Sequence, residues 1–116
     1  MADLDLQLLW DLAQLLTDAE VRATVAPEDV NPPGAWVTLE EFSTRTVRGD
    51  LRLTVVVYLI VPNTDHRRAL EQLQALYNKA RTVVTPDGPV RAQGLLLPSA
   101  PDEPLPALRV PLYINP

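Results

Sequence analysis

Two stretches of the chain repeat apolar residues every three or four positions, and five alternate them every second position. Leu4, Leu8, Leu12, Leu15 and Leu16, widened by Leu9 and Ala13, form one helical stripe over residues 4–16. Asp3 is its expected N-cap, and Asp5 suits the positive end of the helix dipole. A second stripe, Leu70, Leu73, Leu76, Tyr77, Ala80 and Val84, predicts a helix capped by Asn63 or Thr64 and opened by Arg67 and Arg68. Between them, "EVRATVA", "AWVTLEEF" and "LRLTVVVYLIV" have the two-residue period of strands. "PVRAQGLLLP" is a weaker strand signal, and "ALRVPLYIN" closes the chain with Leu108, Val110, Leu112 and Ile114 on one face.

The run at 51–61 is the longest apolar segment. Leu51, Leu53, Val55, Val57, Leu59 and Val61 share one face. The other face starts polar at Arg52 and Thr54 and turns apolar at Val56, Tyr58 and Ile60. Such a strand is expected at the sheet centre, covered on both faces at its far end. Pro111 lacks a ladder donor, so the last strand is expected at an edge or with a bulge there. The predicted order is α-β-β-β-α-β-β. It implies a single α+β domain over 1–116: one mixed, mainly antiparallel sheet with two helices packed on one face. Parallel crossovers remain open where the second helix joins its flanking strands.

The connections are marked by turn chemistry. Gly49-Asp50 is the expected tip of a hairpin, and "TPDG" at 85–88 is a turn. "PEDVNPP" and "SAPDEPLP" are proline-rich acidic loops. Pro27, Pro32 and Pro33 each fix φ and remove a donor, and Gly34 relaxes the chain as Trp36 arrives. Such a loop is either a rigid connection or a pre-shaped docking surface, because a stiff segment loses little entropy on binding.

Composition narrows the function classes. A chain of 116 residues, 47% apolar, buries about two thirds of its unfolded surface on folding and can fold unaided. Net charge is −5, and only six residues are aromatic, a poor supply for phosphate contacts or base stacking. There is no cysteine, which removes disulfides, thiolate metal sites and cysteine nucleophiles. The acidic N-terminus does not resemble a signal peptide, and no apolar run approaches the ~20 residues of a membrane span. The chain reads as soluble and made in the cytoplasm.

Catalytic constellations do not emerge. His66 is the one histidine, and its neighbour Asp65 points elsewhere on a helix, so it reads as a solvated first-turn residue. The fifteen carboxylates have no spacing suited to a cation, and the four glycines match no phosphate-binding loop. "RGD" at 48–50 is the composition a hairpin tip needs. The expectation is no enzyme, no cofactor and no metal. The local charge pattern is more informative: Arg45, Arg48 and Arg52 surround the hairpin tip with Asp50.

One resemblance spans nearly the whole chain. The first helix, "VAPEDVNPPGAWVTLEEF", the long apolar strand, the second helix and the closing "LPALRVPLYI" resemble the tail terminator (tail-completion) proteins of long-tailed bacteriophages. "NPPGAWV" and "LPALRVPLYI" are its most specific parts. The resemblance implies a virion structural protein assembled in the host cytoplasm and seated at the head-proximal end of the tail. It implies a homo-oligomeric ring, usually a hexamer, that caps the tail tube, stops its polymerisation and offers a joining surface to the head-side connector. DNA would pass through such a ring without specific binding, and no membrane is involved. Interface candidates are Asn31, Pro32 and Pro33 in the docking loop, Arg45, Arg48, Asp50 and Arg52 at the hairpin, and Trp36 and Tyr113 as aromatics. Trp36 also fits an ordinary core role. The alternatives are a head–tail connector or stopper protein and, further off, a small α+β ligand-binding or enzymatic domain.

Overall fold

The computed structural model describes residues 6–44, 51–98 and 100–114. The elements follow the order α1 (Gln7–Asp18), β1 (Ala23–Thr24), a 3-10 turn (Pro27–Asp29), β2 (Gly34–Thr44), β3 (Leu51–Ile60), α2 (His66–Ala80), β4 (Arg91–Leu97) and β5 (Ala100–Ile114). Five strands make one sheet in the order β1-β2-β3-β5-β4. β1 runs parallel to β2, and every other neighbouring pair is antiparallel. This is the α+β class expected from the hydrophobic pattern.

β3 is the axis of the core. Leu53, Val55, Val57 and Leu59 are fully buried on one face, and Val56 and Ile60 on the other. Each buried Val, Leu or Ile side chain contributes about 1.5–3 kcal/mol. The odd-numbered face of β3 packs with Leu9, Ala13 and Leu16 of α1 and with Ala69, Leu73, Leu76 and Ala80 of α2. Both helices therefore cover the same face. Leu15 and Leu70, placed in the stripes by their spacing, are about half exposed, at 50% and 47%.

The helix ends differ from the simplest sequence reading. Asp65, rather than Asn63 or Thr64, caps α2: its Oδ1 accepts the Arg68 backbone N–H at 3.0 Å. Val84 is buried, but in the turn after α2 and not on the helix itself. The predicted cap Asp3 lies outside the described residues. α1 ends in a Schellman motif, with Val21 N–H bonded to Leu16 O at 2.9 Å and Glu20 N–H to Thr17 O at 3.0 Å. Glu20 takes the left-handed conformation that the motif requires, at φ 68°.

"EVRATVA" yields only a two-residue strand, because the chain leaves the sheet after Thr24. The acidic "SAPDEPLP" segment, expected as a loop, instead contributes to the 15-residue β5. β5 is not at the edge of the sheet; it lies between β3 and β4. Its prolines are tolerated for separate local reasons. Pro101 and Pro104 fall where the β4 pairing shifts register, between Leu95↔Leu105 and Leu97↔Ala100. Pro106 ends the ladder with β3: Val61 N–H donates to Pro106 O at 3.1 Å, and proline has no N–H to return. Pro111 points its backbone away from β3, toward the side that β4 has vacated. The edge predicted at Pro111 is thus real but local.

Candidate protein interface

Covering one face of the sheet with both helices leaves the even-numbered side chains of β3 facing away from them. Register then arranges this second face in rows. Trp36, Tyr58 and Arg109 lie abreast, followed by Thr38, Val56 and Pro111, and then by Glu41, Thr54 and Tyr113. Ser43 and Arg52 make the last row. A bulge between Leu39 and Glu41 adds Glu40 to this side.

One end of the face is a small apolar cluster. Val30, Ile60, Leu97, Leu105 and Ala107 are buried there, flanked by Trp36 and Tyr58. The two rings stack with centroids 5.4 Å apart and planes 22° apart, and Trp36 Nε1–H donates to Val25 O at 3.2 Å. An offset stack of this kind adds about 0.5–1.5 kcal/mol to the area buried. Trp36 is accordingly a half-buried structural anchor of this face.

The other end is polar. Glu40, Glu41, Ser43, Arg52, Thr54, Arg109 and Tyr113 surround an open depression of about 280 Å³. Arg52 lies over the Tyr113 ring, 4.1 Å from its centroid, a cation–π contact on a ring that remains 42% exposed. Arg109 forms an ion pair with Glu40 across the bulge. Burial alone would lower the Arg109 pKa; hydrogen bonding and charge attraction from Glu40, with help from Tyr58, outweigh it and hold the guanidinium above its usual range. The patch thus offers both charge signs and an aromatic edge, a composition suited to protein contact.

The predicted interface residues separate into two places. Arg52 and Tyr113 come together in the polar depression, and Trp36 shares their face. Asn31, Pro32 and Pro33 sit before Gly34, at the opposite end of β2, about 30 Å from Ser43 at the usual strand rise. Asn31 and Pro33 are exposed and Pro32 half-buried, with a cis bond between the prolines. The segment is not simply a projecting loop. Val30 is buried in the second cluster, and a Cβ on Gly34 would stand 3.0 Å from Arg22 O and 3.1 Å from Asn31 O. Arg45, Arg48 and Asp50 lie outside the described residues.

Sequence reasoning missed Glu40, Glu41, Tyr58 and Arg109 as members of this surface. Alternation places Tyr58 and Arg109 on particular faces of their own strands, but only pairing brings those faces together. It also missed an open apolar cleft of about 460 Å³ between α2 and the β4–β5 hairpin, where Leu70 faces Ala92 and Gly94. No three His, Asp or Glu among the described residues converge as a metal-binding group. Among the described residues, no helix is long and apolar enough to cross a membrane. Compared with protein-family models, curated proteins and solved structures, the chain matches none.

Proposed function

We propose that this chain is a structural subunit of a phage particle, a tail terminator that forms a homo-oligomeric ring on the tail tube and presents a joining surface to the head-side connector. The observation that carries the reading is the helix-free face of the sheet. It holds Arg52, Tyr113, Glu40, Glu41 and Arg109 on a rigid β scaffold, an arrangement suited to recognition by shape and charge. The whole-chain resemblance supplies the identity of the partners: further copies of the chain, the tube protein and the connector. The reading assigns no enzymatic step, no cofactor and a place in the virion.

The test is tube capping. Tube protein from the same particle is polymerised with and without the purified chain, and tube lengths and ends are imaged by negative stain. Shortened tubes with a ring at one end are expected. Arg52→Glu should keep the far-ultraviolet circular dichroism and thermal transition while reducing capping at least tenfold. Tubes of unchanged length and bare ends would refute the proposal. Selective binding to the connector, without binding to tube protein, would favour the neck-protein alternative.

A further inference from the structure

The sheet ends in two dissimilar edges. On the β4 side, antiparallel geometry identifies which backbone groups are unpaired. Pro111 O and Tyr113 N–H both point away from β3, as their bonds to Asp87 show. Arg109 and Ala107, at two-residue intervals, point the same way and pair with Arg91 and Gln93. Ala92 and Gly94 therefore turn their N–H and C=O groups outward, and among the described residues no strand follows them in the sheet. β4 carries no proline to blunt this edge, which makes it a template for another strand.

The opposite edge is β2 beyond Trp36, where β1 has already ended. Its direction is opposite to that of β4, so β4 of one copy beside β2 of another would make an antiparallel pair. Charge is divided the same way. Residues 6–44, which include α1, β1 and β2, carry seven carboxylates and one arginine, a net −6. Residues 63–97, which include α2 and β4, carry five Lys or Arg and three carboxylates, a net +2. Beside the β4 edge lies the apolar cleft against Leu70, open to the side chains of an added strand.

We infer that copies of this chain associate head-to-tail by strand addition, the β4 edge of one copy (Ala92–Leu96) pairing with the β2 edge of the next (Val37–Thr44). The unlike edges and opposite net charges favour a heterologous contact over a two-fold one, and a heterologous contact closes into a ring when its rotation closes. The inference deepens the ring reading above and rests on it.

The absence of cysteine allows a direct test. Gln93→Cys and Glu41→Cys, both exposed and both on the helix-free face, are prepared separately, mixed, and treated with a short bis-maleimide. Covalent dimer should form in the mixture at least fivefold above either variant alone, and the yield should fall severalfold as salt is raised. Ala92→Pro removes only an outward N–H; it should keep the native circular dichroism and abolish association at least tenfold. Should that variant misfold, the crosslinking comparison decides by itself. Crosslinking of Gln93→Cys with itself alone would mean a two-fold contact and overturn the inference. Rings that form without the mixed crosslink would overturn it while leaving the ring reading standing. A chain that neither crosslinks nor caps tubes would end both.

Discussion

Asp87 completes the edge of β5 opposite Tyr113: its carboxylate accepts the Tyr113 backbone N–H at 2.8 Å, and its own N–H donates to Pro111 O at 3.0 Å. One aspartate thus supplies both bonds that a continued β4 would have made. A turn residue takes the place of a strand, and β5 keeps its pairing groups satisfied where its neighbour stops.

Asp87→Ala should therefore destabilise the fold by about 1 kcal/mol, the usual net value of a hydrogen bond partly open to water. Asp87→Asn retains an acceptor oxygen and should lose less than half of that. Urea unfolding of the three proteins checks the order.

Glu20 adopts the left-handed conformation at the end of α1 without being glycine. Its ion pair with Lys79 is exposed and 3.9 Å long, so it returns little of that cost. Glu20→Gly should raise stability by up to about 1 kcal/mol, seen as a higher thermal midpoint.

Trp36→Phe keeps an aromatic ring against Tyr58 and deletes the Nε1 donor to Val25 O. The expected loss is about 1 kcal/mol in denaturant unfolding. Trp36→Ala, which also removes the stack and the cover over the second cluster, should cost about 3 kcal/mol or more.

Leu73 is 4% exposed in the main core. Leu73→Asp buries a carboxylate with no partner and should abolish the cooperative unfolding transition, whereas Leu73→Ala should lower stability by about 2–5 kcal/mol and leave it two-state.

Several features were legible in the chain itself because they depend on local periodicity. The two helices and the two-faced character of β3 follow from spacing, since side-chain direction repeats every 3.6 residues in a helix and every two in a strand. The surface was legible only in part. Arg52 and Tyr113 stood out as exposed types, but their contact depends on register across β3 and β5, which are separated by the whole of α2 and β4.

The amino-acid sequence determined the type and order of the elements, most of the residues that face the core, and that the class is α+β. Tertiary structure decided what the prolines mean and where the edges are. Pro111 would break a strand if a neighbour required its N–H; it is accommodated in β5 because no strand on that side needs one, whereas Pro106, turned toward β3, ends the ladder there. Whether a missing donor matters is a property of the strand alongside it. Pairing between distant segments, not local propensity, sets that neighbour.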